Sequence, residues 1–476
     1  MKIFLANVGL RRPTYPLASP PMGILYLAAY LRRHFEADFV LINQREDNIP
    51  NDDLLRKIKD FAPDVVGFSS LTPAAHSVPY LTEGVRRALP KALILLGGPH
   101  ASSFQEAALE GTSADASVPG EGELAFEQIL RRHLDGSDFS DIPGVHWRDK
   151  DGRVVSNPGR LPYIEDLDSL PFPAYDLIDI KKYWRLQSMP PIPRRKYISL
   201  TSSRGCPYHC GWCHRIFGDQ FRFHSADRIA DEVEHYVKTY GVNDIEFLDD
   251  IFNYDPRRVL GFNRELHKRN IRLKIAFPNG VRGDMLTEEV IDSMVDSGTY
   301  FCSFALETGT PRLQKLMGKH LNIPRFLKAV EMAVNRGIFA NGFVMLGFPT
   351  ETEEEMLQTI RVATDSYLHT ASFFTVVPFP GTQVFRYAQE MKPERLVSLK
   401  YDNIDFSLAP VNLSTVPDEV LFGFQRQANR QFFGKPSRIY RIMRDFPQRR
   451  RLPYYIPIYV SRVTKDLFKF GKKSSV

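Results

Sequence analysis

The sequence predicts an α/β protein: a doubly wound N-terminal domain, then a partial (β/α)6 barrel, then a mostly helical C-terminal region. Three observations predict it. Near-continuous apolar runs alternate with amphipathic helices over residues 1–135, as in a parallel sheet covered on both faces. A proline-crowded stretch breaks that rhythm between 141 and 190. From Tyr197 the strand–helix alternation resumes for six further units.

Taken in order, KIFLANV is an apolar strand, and PMGILYLAAYLRRHF follows with helical spacing. DFVLIN, DVVGFSS, ALILLGG and ADASVPG supply the other strands of residues 1–140, separated by helices at DDLLRKIKDF, VPYLTEGVRRAL, SFQEAALE and ELAFEQILRRHL. A sheet of this kind binds ligands beyond the carboxyl ends of its strands. Residues 141–190 read as a hairpin around Asp151-Gly152 followed by a stiff linker. Residues 191–385 hold the strands YISLTSS, DIEFLDD, LKIAFPNG, YFCSFALE, ANGFVMLGF and SFFTVVPF, and catalytic groups are expected at their C-termini. Residues 386–476 read as helical and end in a basic tail.

The chain has 476 residues and a mass of 54.6 kDa, with 43% hydrophobic and 25% charged residues, which excludes collagen-like and wholly disordered proteins. A net charge of +6 is too mild to point to nucleic acid. The longest apolar run, in PMGILYLAAYL, is short of the roughly 20 residues of a membrane span. No leader is read at the N-terminus, and a cytoplasmic, reducing location is expected.

There are four cysteines, and Cys206, Cys210 and Cys213 fall together in SRGCPYHCGWCHRIFG, directly after a strand. The spacing is Cys-x3-Cys-x2-Cys. A structural zinc would need a fourth ligand, for which only His209 and His214 are near. A [4Fe–4S] cluster usually takes four thiolates, so three would leave one iron open to bind and activate a substrate.

This loop resembles the hallmark of the radical S-adenosylmethionine (SAM) superfamily, in which an aromatic precedes the last cysteine; Trp212 fills that place. The resemblance implies that SAM chelates the open iron and that one electron cleaves it to methionine and a 5′-deoxyadenosyl radical. It further implies SAM contacts at other strand ends. Asp249 and Asp250 stand where the family receives the SAM amino group, the alternative being a helix N-cap. Glu307 stands where the ribose is held, the alternative being a salt bridge. Arg282 is expected to pair with the SAM carboxylate or with Asp284. Gly342 to Glu351, including Gly347, resembles the adenine-side motif, although Glu351 alternatively starts a helix.

A doubly wound, flavodoxin-like domain before such a barrel resembles the cobalamin-dependent radical SAM class. Ser69-Ser70-Leu71 matches its Ser-x-Leu motif, Gly97-Gly98 its Gly-Gly motif, and Gly120-Glu121-Gly122-Glu123 follows the fifth strand. The resemblance assigns Ser69, Ser70, Leu71, Gly97, Gly98, Gly120 and Glu121 to cobalamin. The Asp-x-His-x-x-Gly motif that ligates cobalt from below elsewhere is missing. His100 is read as a loop residue hydrogen-bonding locally, with cobalt ligation as the alternative.

Residues 1–205 and 303–476 contain no cysteine, so one cluster is expected, with Cys302 in the core. The implied function is methylation of an unactivated carbon: the radical removes a substrate hydrogen atom and methylcobalamin delivers the methyl group. The runner-up is a cyclase of the anaerobic magnesium-protoporphyrin ester type. A non-catalytic cobalamin or metal sensor is the reading from another class. Expected partners are a small-molecule or lipid-like substrate and an electron donor such as flavodoxin or ferredoxin. The tail from Gln431 carries 12 Lys or Arg against Asp445 and Asp466, and Ile456, Tyr459, Val460, Val463, Leu467 and Phe470 recur at helical spacing. Such a segment either contacts the inner face of an anionic membrane or packs back on the barrel.

Overall fold

A computed structural model describes residues 1–11, 16–190, 192, 195–397, 399–401, 411–453 and 456. Strands β1 (Lys2–Val8), β2 (Asp38–Asn43), β3 (Val65–Ser70), β4 (Leu93–Gly97) and β5 (Ala116–Ser117) form a parallel sheet in the order β2-β1-β3-β4-β5. Ile3, Phe4, Leu5 and Ala6 are all buried, because helices cover both faces of β1. Helix Met22–His34 ends in Arg32, Arg33 and His34, cations that suit the negative end of its dipole.

The hairpin belongs to this sheet rather than to the linker. Strands β6 (His146–Arg148) and β7 (Val154–Ser156) add antiparallel to β5, so the first sheet runs on past residue 140. Pairing satisfies the otherwise open edge of the short β5. The proline-rich stretch that follows is not a free spacer either. It buries Tyr175 and Tyr183, and Tyr175 Oη donates to Ser199 O at 2.6 Å.

The second unit opens with β8 (Tyr197–Leu200), after which β9 (Ser203–Arg204) and β10 (Arg222–Phe223) form a small antiparallel ribbon. Then come β11 (Asp244–Phe247), β12 (Lys274–Val281), β13 (Thr299–Glu307), β14 (Phe339–Leu346) and β15 (Thr370–Thr375). The six main strands run parallel in the order β8-β11-β12-β13-β14-β15, the open barrel that the six sequence units predict. Local chemistry starts the outer helices. Ser225 caps Ala226–Tyr240, Asp255 caps Pro256–Lys268, and Thr352 with Glu355 forms a capping box on Glu353–Asp365.

Among the described C-terminal residues, helices Gln383–Met391, Pro393–Val397, Asp418–Phe433 and Pro436–Asp445 accord with the helical reading. Phe446 closes the barrel floor against Ala276, Phe301 and Phe339. The amphipathic run from Ile456 to Phe470 lies, Ile456 apart, outside the described residues. No described helix is long and apolar enough to cross a membrane.

Candidate functional site

The three cysteines sit on the loop that the β9–β10 ribbon closes at its base, beyond the carboxyl end of β8. Close approach dictates two glycines. At Gly205, φ +83°, a Cβ would lie 2.2 Å from Gln220 O, and at Gly211 it would lie 2.5 Å from Met317 Cε. Gly211 N–H donates to Met317 O at 2.8 Å, and Val384 N–H donates to Gly211 O at 2.9 Å, so two other segments clamp the loop.

All three thiols are free; Cys206 and Cys210 are half-buried and Cys213 is exposed. A hydrogen bond from Cys213 pulls the Cys210 thiol down to about 7, and the same bond pushes Cys213 up. Burial raises Cys206. Among the described residues no three His, Cys, Asp or Glu side chains converge on one metal ion. Thiolates on three different irons of one cluster need no such convergence. As a donor set, three reachable thiols on a clamped loop could hold a [4Fe–4S] cluster with one iron open.

The two aspartates after β11 have different surroundings. Asp249 is buried and its carboxylate is taken up: it accepts from Ser202 N–H at 2.6 Å, Ser202 Oγ at 2.5 Å and Ser203 Oγ at 2.9 Å, and pairs with Arg258 at 3.3 Å. The expectation that Asp249 contacts SAM is therefore corrected; it braces the strand leading into the cysteine loop. Nor is it the helix cap, which is Asp255. Asp250 is accessible yet crowded by protein, the situation of a group lining a deep recess, and desolvation raises its carboxyl to about 6.

Glu307 ends β13 at a bulge with φ +64°, an uncommon conformation for a residue with a Cβ. Its carboxylate accepts from Lys319 Nζ at 3.2 Å, and that ammonium lies 5.7 Å from the Trp212 ring. Trp212 packs edge-on against Phe348 at 5.4 Å. Arg282 takes the Asp284 alternative, with Nε 3.0 Å from Asp284 Oδ1. It also donates to Lys319 O at 2.8 Å and lies over the Tyr208 ring at 3.9 Å.

Gly347, φ +89°, turns the chain after β14. Its N–H and that of Phe348 donate to Glu351 Oε2 at 2.6 and 3.0 Å. Glu351 thus braces this turn and does not start a helix, which Thr352 caps. It is fully buried, its Oε1 has no partner, and desolvation raises its carboxyl to about 8.

On the N-terminal side, Ser69-Ser70-Leu71, Gly97-Gly98 and Gly120 lie beyond the carboxyl ends of β3, β4 and β5. Their environments differ. Gly98, φ +81°, is small for a reason internal to the protein, since a Cβ there would lie 2.4 Å from Ser69 Oγ. At Gly97 the nearest atom to a Cβ would be Val118 O at 3.8 Å, and Leu71 is exposed. This edge therefore offers room at Gly97 and an apolar face at Leu71, features that could cradle a corrinoid. His100 does not make the expected local bond through Nδ1, which is buried without a partner; its ring leans on Phe104 at 4.4 Å, and burial lowers its pKa to about 4.

Glu121 is corrected as well. It is buried against Arg204 at 2.9 Å and Arg222, while Glu123 takes the other Arg204 nitrogen at 2.6 Å. This four-residue ionic cluster joins the two domains at the base of the cysteine loop. Nearby, Ser103 Oγ lies 3.2 Å from His214 Nε2, directly after the last cysteine. Sequence reasoning missed Lys319, Arg204, Arg222 and Ser103, because each is defined by a partner far away in the chain; only the charge of the two arginines flanking the cysteine loop was a usable signal.

Residues 13–130 match the B12 binding domain family and residues 200–363 the Radical SAM superfamily. The chain is 31% identical over 372 residues to "Uncharacterized methyltransferase PH0819" of Pyrococcus horikoshii, covering 78% of each. It is 30% identical over 438 residues to the cytidylyl-2-hydroxyethylphosphonate methyltransferase of Streptomyces wedmorensis, covering 81% of each. It is 25% identical over 373 residues to the anaerobic magnesium-protoporphyrin IX monomethyl ester cyclase of Rubrivivax gelatinosus, covering 77% of this chain and 66% of that one. Among solved structures, the radical SAM methyltransferase TsrM from Kitasatospora setae, with tryptophan substrate and a SAM analogue bound, superposes with a TM-score of 0.67. It is 18% identical and covers 82% of this chain and 76% of that one, a likeness of fold.

Proposed function

The chain belongs to the radical SAM enzymes that carry a B12-binding domain, and on that premise we propose that it methylates an unactivated carbon of a small-molecule or lipid-like substrate. The family's cofactors are a [4Fe–4S] cluster, SAM and cobalamin, which when bound supply a 5′-deoxyadenosyl radical and a transferable methyl group.

One observation carries the reading. The cysteine loop and the carboxyl edge of the first sheet meet, tied by Ser103 to His214 and by the Glu121–Arg204 cluster. A radical generated at the loop and a methyl group held at the edge would then share one substrate. In this reading Cys206, Cys210 and Cys213 hold the cluster through their thiolates. Asp250 receives the SAM ammonium, which suits an exposed carboxylate that has, among the described residues, no cationic partner and only the Gly205 backbone N–H as a donor. Glu307, held by Lys319, faces the ribose, and Gly347 lets the backbone approach the adenine. Ser69, Ser70, Leu71, Gly97 and Gly120 surround the cobalamin tail. Arg282, pinned by Asp284 and Tyr208, keeps a positive charge beside Cys210 and favours its thiolate. The electron comes from a reduced flavodoxin or ferredoxin.

The experiment is anaerobic. Reconstituted protein, SAM, a reductant and hydroxocobalamin should yield 5′-deoxyadenosine together with S-adenosylhomocysteine. Changing Cys206, Cys210 or Cys213 to Ala should abolish both 5′-deoxyadenosine and the broad absorption near roughly 400 nm expected of a thiolate-held cluster, and Cys302→Ala should spare them. 5′-Deoxyadenosine without S-adenosylhomocysteine would move the assignment to the cyclase reading, which a cyclase among the relatives makes the competitor.

A further inference from the structure

Strand parity sorts the barrel side chains. On β13, β14 and β15, Cys302, Phe304, Val344, Leu346 and Phe373 turn outward into the core beneath the helices and are buried. Their sequence neighbours turn into the lumen, where three layers rise from the floor that Phe446 seals. The lowest layer is fully packed, with Ala276, Phe301 and Phe339 on the β12–β14 side and the buried Glu246, bonded to Ser199 and Arg195, in register on the β8–β11 side. The next is a polar belt closed on itself: Asn341 Nδ2 donates to Ser303 Oγ at 3.2 Å, and Thr370 Oγ1 donates to Asn341 Oδ1 at 2.8 Å.

Above the belt the wall opens and is mainly apolar, with Ser372 of β15 in register beside Phe343. Ala305, Phe343 and Phe374 are half-exposed inside the barrel, the two rings 6.1 Å apart at 47°. Gly280 of β12 faces this pair, and a Cβ there would sit 3.6 Å from the Phe343 ring. None of the described side-chain polar atoms buried without a partner lies on this wall. Nor do the cations of the mouth stand ready for an anion. Arg258 pairs with Asp249, Arg282 with Asp284 and Lys319 with Glu307, each within 3.3 Å. Aromatic surface left to water inside a recess is worth covering, at about 25 cal/mol per Å². A phosphate or phosphonate would meet cations already neutralised.

Resting on the radical-methylation reading above, we propose that this wall receives the hydrocarbon portion of the substrate, so that the substrate class is an apolar, lipid-like molecule rather than a nucleotide conjugate or an amino acid. The asymmetry of the lumen supports it. Asp250 and Arg282 follow β11 and β12, whereas Phe343 and Phe374 stand on β14 and β15, and the cysteine loop reaches over to that side through Trp212, which packs on Phe348, so an apolar group resting on the rings lies beside the loop.

The test titrates full-length protein, holding its cluster and SAM, with 1,6-diphenylhexatriene, an uncharged hydrocarbon that fluoresces once out of water, and in parallel with cytidine 5′-monophosphate. Saturable binding of the hydrocarbon and none of the nucleotide is expected. Phe343→Ser and Phe374→Ser should each weaken the hydrocarbon about tenfold, equivalent to about 1.4 kcal/mol. Ala305→Trp, which fills the same space from β13, should abolish it. Unsaturable probe binding, equal binding by the Ala305→Trp protein, or saturable nucleotide binding would overturn the proposal. Should a serine variant fail to fold, Ala305→Trp and the wild-type titrations still decide. Wild-type SAM cleavage with no saturable probe site removes the apolar wall alone; saturable probe binding without SAM cleavage removes the radical reading alone.

Discussion

Adjacent aspartates with opposite surroundings make a sharp test. Asp249→Asn removes the charge that faces Arg258, whose side chain is 2% exposed, and weakens the acceptor for Ser202 and Ser203. Breaking a buried ion pair by removing one partner costs about 3–5 kcal/mol. Asparagine still accepts through Oδ1, so about 3 kcal/mol is expected. Asp250→Asn should leave stability within about 0.5 kcal/mol, as a substitution away from buried networks usually does. Its loss is in binding: a hydrogen bond to a charged group is worth about 1.5–3 kcal/mol, so SAM should bind roughly ten- to a hundredfold more weakly. Urea denaturation of the apoprotein and anaerobic equilibrium dialysis of SAM with the holoenzyme measure the two effects separately. A stable Asp249→Asn protein that loses SAM, beside an Asp250→Asn protein that binds it normally, would refute the assignment.

Three further outcomes follow from particular contacts. Gly97→Trp should fold and lose corrinoid uptake, measured by absorbance after gel filtration, whereas Gly98→Ala should destabilise the protein with or without corrinoid, because its Cβ meets Ser69 Oγ. Glu121→Gln leaves Arg222 without its carboxylate at the domain junction and should cost about 3–5 kcal/mol, seen as faster proteolysis between residues 157 and 190; unchanged proteolysis would count against the junction as a clamp. Glu351 binds its proton more tightly folded, with a carboxyl raised to about 8, than unfolded near about 4.3. Between those values the native state holds more protons, so stability falls as pH rises from about 4.3 to 8 and levels off above. Glu351→Gln should flatten that slope in urea midpoints taken from pH 5 to 8.

Much of the architecture was legible in the chain because it follows from local rules. Alternating apolar runs and amphipathic helices specify two parallel sheets, since a strand apolar on both faces must be covered on both. The cysteine loop was legible because all three thiols come from one short segment, and a local motif keeps its meaning wherever the segment sits. The hairpin at Asp151-Gly152 was read as a hairpin, but its place on the edge of the first sheet depends on β5 being short and open, which is a property of the pairing.

Tertiary structure alone decided which charged residues are free to act. From the sequence, Asp249 and Asp250 are equivalent, and Glu121 looks like part of a ligand loop. Folding brings Arg258, Ser202 and Ser203 to Asp249, and Arg204 and Arg222 to Glu121, each from a distant element. A buried carboxylate must be paired or neutralised, so these two are spent on holding the fold, and Asp250, one residue on, is left accessible. Likewise the period of a strand tells which residues share a face, but only closure of the barrel turns Phe343 and Phe374 into one wall of the lumen. The physical reason is the same in each case: periodicity and motifs are set by neighbours in the chain, whereas charge satisfaction and cavity shape are set by neighbours in space.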